Sequence, residues 1–140
     1  MVPINYLAVV VSALAAMVIG SLWYGPLFGK RWIALMGFTA EDMAAAKAKG
    51  MAKSYMLAAV GSLLMAYVLA HSLVFGSSYF NVTGLPAAFQ GAFWNWLGFI
   101  APVTLNTVVW EGKSWKLWIL GNGCYLVTLF AMALILVYWV

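Results

Sequence analysis

Four long apolar runs, separated by short polar stretches, make up almost the whole chain: roughly residues 3–24, 51–75, 87–110 and 115–140. As a helix the first run is about 33 Å long at about 1.5 Å per residue, enough to cross a hydrocarbon layer of about 30 Å. The pattern predicts an all-α integral membrane protein with four transmembrane helices in a single domain, residues 1–140. The 3.6-residue period is faint inside such runs, because lipid-facing and buried sides are both apolar. Small residues carry the signal instead. Ala8, Ser12, Ala16 and Gly20 recur every four positions in the first run, and Ala58, Ser62, Ala66 and Ala70 do so in the second. Each ladder lines one helix face and lets another backbone approach closely. The two ladders predict that spans one and two pack together, or that one of them meets another subunit.

The polar stretches predict the connections. Gly25-Pro26 ends the first run, and proline suits the first position of a new helix. Phe28, Trp32, Leu35 and Met36 then share one face while Lys30 and Arg31 lie elsewhere. That is the pattern of a short helix lying in the membrane interface. Thr39 and Asp42, three apart, form an aspartate version of the capping box and predict a further helix on the cytoplasmic side. This helix is alanine-rich and is expected to kink near Gly50 before span two. Residues 76–86 read as a charge-free loop, and its Asn81-Val82-Thr83 sequon is common enough by chance to be discounted. Pro102 is expected to kink span three and free the carbonyl of Gly98. Glu111-Gly112-Lys113-Ser114 is a tight polar turn.

Composition excludes a water-soluble domain. Hydrophobic residues are 66% of the 140 and charged ones only 7%, against about 25% charged in soluble domains. All seven basic residues, Lys30, Arg31, Lys47, Lys49, Lys53, Lys113 and Lys116, fall in the loops after spans one and three. Positive charge stays cytoplasmic, so both termini are expected outside, in a bacterial inner membrane. Trp23, Trp32, Trp110, Trp115 and Trp118 cluster at the same predicted boundary as an aromatic belt, and Tyr138 and Trp139 mark the other. Basic residues this few, flanking apolar spans, suit anionic lipid headgroups and not nucleic acid; Lys30, Arg31, Lys113 and Lys116 are the expected contacts. The N-terminus lacks the basic region of a cleaved signal, so span one is read as retained. One cysteine, Cys124, forms no intramolecular disulfide.

Polar groups inside a membrane are costly and therefore informative. Asn95, Pro102 and Asn106 fall within about 20° of one another on an ideal helix, so that face of span three should point inward. Asn106 and Asn122 come to similar depths, which predicts a cytoplasmic-side cluster of Ser21, Asn106, Glu111 and Asn122. A second layer near the opposite face would hold Asn5, His71, Gln90 and Asn95. Glu111 suits an ion pair with Arg31, Lys113 or Lys116, or a proton or cation ligand. One histidine and one cysteine on different helices make no metal site, so His71 is read as bonded to a neighbour. No catalytic set and no phosphate-binding loop are present in the sequence, and neither a cofactor nor a metal is expected.

The stretch over residues 20–32, with Trp23-Tyr24-Gly25-Pro26-Leu27-Phe28-Gly29 at its centre, resembles a signature of the small bacterial membrane proteins designated domain of unknown function 1761. The likeness extends to Ile4-Asn5-Tyr6, to Phe93-Trp94-Asn95-Trp96-Leu97-Gly98-Phe99 with Pro102, and to Asn106. It continues through Glu111-Gly112-Lys113, Trp115-Lys116-Leu117-Trp118, Asn122 and Tyr125. Gly25 stands where members often carry serine. The resemblance implies a four-span membrane protein and supplies no reaction, cofactor or partner. The residues themselves favour a structural or interaction protein, a self-associating bundle that binds itself, lipid or another membrane protein. The alternative is an oligomeric transporter or channel for a small solute or ion, built on Asn95, Asn106, Glu111 and Asn122.

Overall fold

The computed structural model describes residues 2–139, so Met1 and the last residue of the expected fourth span, Val140, lie outside the described residues. Helix α1 (Tyr6–Leu22) starts where the Asn5 side chain accepts the amides of Leu7 and Ala8, at 3.0 and 3.2 Å. These two donors have no partner inside the first turn, and an asparagine cap satisfies them. The helix fails at Pro26, which has no amide to donate. Residues Trp23–Leu27 instead form a wide π turn in which Gly25 leaves helical geometry (φ −108°, ψ −107°) and the Phe28 amide donates to the Trp23 carbonyl. Helix α2 (Gly29–Met36) therefore begins at Gly29, three residues beyond the expected start at Pro26.

Helix α3 (Ala40–Lys49) carries the expected capping box: Thr39 Oγ1 accepts the Asp42 amide, and the Asp42 carboxylate accepts the Thr39 amide and hydroxyl. Gly50, at φ 81°, breaks the chain between α3 and α4 (Ala52–Phe80) as expected. Helix α4 runs through Gly76 and the serines after it, because α-helix closes their backbone bonds internally where a loop at that depth would not. It ends at Asn81 in the left-handed conformation. Span three is interrupted. Helix α5 (Gly84–Asn95) passes into a second π turn (Trp96–Ile100), then α6 (Ala101–Thr104) and α7 (Asn106–Val109). The Ala101 amide reaches the Trp96 carbonyl five residues back, which absorbs the disturbance due to Pro102 as an added residue in the turn. Ser114 caps α8 (Trp115–Tyr138), accepting the Leu117 amide at 3.2 Å.

Four helical stretches are long and apolar enough to cross a membrane: Tyr6–Leu27, Ala52–Phe80, Gly84–Val109 and Trp115–Tyr138. The fold is all-α among the described residues, and it is that of a membrane protein. Helix α1 packs between α4 and α8, α8 packs between α1 and α5, and α4 meets α5. The core lies toward the charge-free end and is built mostly of alanine, around the fully buried Met132 and Ser12. In lipid, association rests on close van der Waals packing and not on expelling water, so small side chains are what such a core needs. The first ladder is used here: Ala8, Ser12 and Ala16 are buried, and the Ser12 hydroxyl donates to the Met132 carbonyl of α8 at 3.4 Å. The second ladder is used over half its length. Ala66 and Ala70 are buried, whereas Ala58 is exposed.

Candidate functional site

Near the basic end, α1, both π turns and α8 converge on the sequence Gly121-Asn122-Gly123. Trp23, from the first π turn, lays its indole over Gly123 and donates Nε1–H to the Leu120 carbonyl at 3.0 Å. Its neighbour Tyr24 brings its hydroxyl over Gly121. A Cβ at 123 would stand 3.1 Å from the Trp23 ring, so the glycine is what lets the two helices meet. From the second π turn, Trp96 donates its indole N–H to Asn122 Oδ1 at 3.0 Å. Asn122 Nδ2 donates to Thr104 Oγ1 at 3.0 Å and to the Trp118 carbonyl at 3.1 Å. The Thr104 hydroxyl donates in turn to the Ile100 carbonyl at 2.8 Å. Asn122 is buried, and both its donor hydrogens and its carbonyl oxygen are engaged.

Beside this network lies a cavity of about 290 Å³, lined by Tyr24, Trp32, Thr104, Thr107, Glu111, Lys113, Trp118, Asn122 and Tyr125 among others. Four of its lining residues are aromatic, Trp32 packing edge-on to Tyr24 at 5.5 Å; outside the lining, Trp115 packs edge-on to Trp118 at 5.9 Å. The indole Nε1 of Trp118 is buried and has no hydrogen-bond partner among the described residues. Glu111 stands exposed at the edge of the same cavity, and of its three expected cationic partners it is Lys113 that shares the wall. Gly112 between them takes φ 68°, the left-handed turn that only glycine enters without cost.

The expected cluster of Ser21, Asn106, Glu111 and Asn122 is half assembled. Asn122 and Glu111 do share the cavity. Ser21 is exposed: it lies nine residues from buried Ser12, about 180° around the helix. Asn106 is also exposed. The second π turn breaks the register counted along an ideal helix. Beyond it Thr104 and Thr107 occupy the lining, while Val103 and Asn106 turn outward. Pro102 is exposed as well. Sequence reasoning missed Thr104, Thr107, Trp96 and the glycines at 121 and 123. The available signal was the glycine pair flanking Asn122, which matches the adjacent bulky rings of Trp23 and Tyr24.

The second expected layer separates into independent contacts. Asn95 Nδ2 donates to Ser72 Oγ at 2.9 Å, joining spans two and three, and to its own Gly91 carbonyl at 2.7 Å. His71 Nδ1 contacts the Tyr67 carbonyl of its own helix at 2.9 Å, and its ring packs edge-on to Tyr67. Asn5 serves as a helix cap, and Gln90 is exposed. Among the described residues, no three His, Cys, Asp or Glu side chains converge as a metal site would need. Lys30, Arg31 and Lys116 are exposed, while Lys113 is half-buried in the cavity wall.

A family model described as protein of unknown function, DUF1761, matches residues 7–137. The chain belongs to the DUF1761 family. Its matched region takes in both π turns, the glycine pair and every residue of the cavity named above. No curated protein and no solved structure matches the chain.

Proposed function

We propose that this DUF1761 protein is a membrane interaction module that associates with further copies of itself through the basic-end half of α4. One observation carries the reading: residues 52–65 of α4 contribute no buried side chain, although they include the apolar Leu57, Val60, Leu63 and Leu64. Ala58, Gly61 and Ser62 lie among them, small enough for a second helix to come close. On this reading the upper half of the second small-residue ladder holds the protomer together and the lower half joins protomers. The satisfied state of Asn122 favours adhesion over conduction, since a pathway needs polar groups free to exchange partners with a solute. The basic loops then face the cytoplasm, with the termini outside and Lys30, Arg31 and Lys116 on anionic headgroups.

The test is native mass spectrometry of protein released from lipid nanodiscs, paired with crosslinking of an Ala58→Cys variant. A defined oligomer that crosslinks at position 58, and that Gly61→Leu dissociates, is the expected result. A monomer at every protein-to-lipid ratio would refute the proposal.

A further inference from the structure

We infer that the groove between α4 and span three is a binding site for an uncharged membrane lipid that carries a hydroxyl group. The inference does not depend on self-association.

Two cavities of about 340 and 430 Å³ lie along this groove, and Asn95 lines both. Asn95 is the last of the 12 residues of α5. It stands about 16 Å along the helix from the first, at about 1.5 Å per residue, and so well inside the apolar span Gly84–Val109. Its amide is oriented by its own helix. The Gly91 carbonyl, 2.7 Å away, can only accept, so Nδ2 is the atom that faces it. The same Nδ2 donates to Ser72 Oγ at 2.9 Å. Oδ1 is then the free end of the amide, and no donor reaches it among the described residues. Nor is it sealed inside the protein. Asn95 is half-buried, and the one buried side-chain polar atom without a partner among the described residues is Trp118 Nε1. Oδ1 therefore keeps accessible surface, on a residue that both cavities share.

The lining selects the occupant. At this depth there is no water to satisfy a polar group, and an acceptor facing hydrocarbon goes without its bond. An acyl chain filling the groove would leave Oδ1 unmet. Among the described residues no charged side chain lines either cavity. A phosphate or ammonium headgroup would find no countercharge, and burying an unpaired charge is costlier still. A hydroxyl answers the acceptor and brings no charge with it. The two ends of the groove suit the rest of such a molecule. Towards the basic end the wall is apolar, with Leu64, Met65, Val68, Phe99 and Ile100. Towards the charge-free end Ser72, Ser77 and Gln90 add uncharged hydrogen-bonding groups. An apolar tail is matched to the first end, and the hydroxyl end of the lipid to Asn95 and the second.

The ε-methyl resonance of Met65, assigned by its loss in Met65→Leu, reports on the apolar end of the groove, and that of the fully buried Met132 reports on the core. The full-length protein is placed in phosphatidylglycerol nanodiscs and titrated with geranylgeraniol, an uncharged lipid alcohol, or with its methyl ether, which has the same chain and no donor. A saturable shift of Met65 with the alcohol is expected, with Met132 unmoved. The ether should bind about fivefold more weakly, and Asn95→Leu should weaken alcohol binding by a similar factor, as loss of one hydrogen bond does. Ser72→Ala should leave alcohol binding unchanged, because Gly91 still orients the amide. Equal binding of alcohol and ether, or alcohol binding that Asn95→Leu leaves intact, overturns the inference. So does a loss in Ser72→Ala as large as that in Asn95→Leu, since the contact between spans two and three would then carry the effect. A Met65 shift that follows protein concentration and not the alcohol gives the groove to a second copy, and overturns it too. The unmoved Met132 resonance shows in each variant that the fold persists.

Discussion

The bond between Trp96 and Asn122 ties the second π turn to α8, and breaking it from either end should be costly in a predictable way. Asn122 is 4% exposed, and its oxygen accepts the Trp96 N–H at 3.0 Å. Asn122→Leu keeps the branched shape, at a larger volume, and removes both interhelical bonds. Such bonds in membranes average about 0.6 kcal/mol each, with a ceiling of about 1.7, so the direct loss is about 1 kcal/mol. The substitution also strands the Trp96 donor, which adds about 1–3 kcal/mol for an unpaired buried group. Thr104 adds nothing, because its hydroxyl still donates to Ile100. The expected cost is about 2–4 kcal/mol. Trp96→Phe removes the donor and strands the Asn122 oxygen, at a similar cost. The double variant strands neither, since an apolar pair replaces a bonded pair.

Reversible unfolding of all four proteins in bicelles closes the cycle. The two single costs should exceed the cost of the double variant by about 0.6–1.7 kcal/mol or more, the range for a membrane hydrogen bond plus the relieved desolvation. Additive costs would mean that the two side chains do not depend on each other. The claim that Asn122 is an adhesive group would then fall.

Other substitutions probe the close approaches. Gly123→Ala should destabilise by about 1–3 kcal/mol in the same unfolding assay, because the Trp23 ring 3.1 Å from the new methyl is itself tethered to Leu120. Gly29→Ala should disturb the junction of the first π turn with α2, since the Cβ would stand 2.7 Å from the Tyr24 carbonyl oxygen, a backbone atom that cannot swing aside; a changed chemical shift at residues 24–29 reports it. Trp118→Phe should leave the ligand-free protein as stable as before, or slightly more so, because the lost N–H was bonded to nothing. The α3 cap should respond to acid. Bonds from the Thr39 amide and hydroxyl hold the Asp42 carboxyl below its ordinary 3.8. A depressed folded-state pKa stabilises above the unfolded value, and that contribution is lost as pH falls through the folded one. Amide protection over residues 40–49, the exchange rate taken relative to the intrinsic rate at each pH, should therefore be unchanged from neutral pH down to about 4 and fall only below 3.8.

The four long apolar helices, the short helix after the first of them, the capping box at Thr39 and the break at Gly50 were legible because each rests on a local rule: length, periodicity, capping or glycine freedom. The site was legible only in part, because depth and facing had to be counted along ideal helices. That count held in α8, which is unbroken, and placed Asn122 inside. It failed in span three, where the second π turn breaks the register and Thr107, not Asn106, lines the cavity. Pro102 announces a disturbance but not its form, since a proline kink and a π turn both relieve the missing amide. Ser21 was misplaced for a different reason. It was matched to the cluster by depth alone, while the register of Ala8, Ser12 and Ala16 already put it on the opposite face.

Three indoles surround one stretch of α8, and their different fates follow from the two π turns. The first interruption is a kink at Gly25 and the second a π bulge, each of the kind that changes a helix's course. Trp23 and Trp96 stand at their starts in α-helical conformation and bond groups on α8, at Leu120 and Asn122 respectively. Two irregular turns on different spans thus converge on three consecutive α8 positions, and the glycines at 121 and 123 give them room. Trp118 belongs to α8 itself, an unbroken helix, and lines the cavity beside Tyr24 and Thr104. The two interruptions thus tie their own indoles to α8 and leave the Trp118 N–H buried without an acceptor among the described residues, so the irregular backbone secures some bonds at this level and forgoes another.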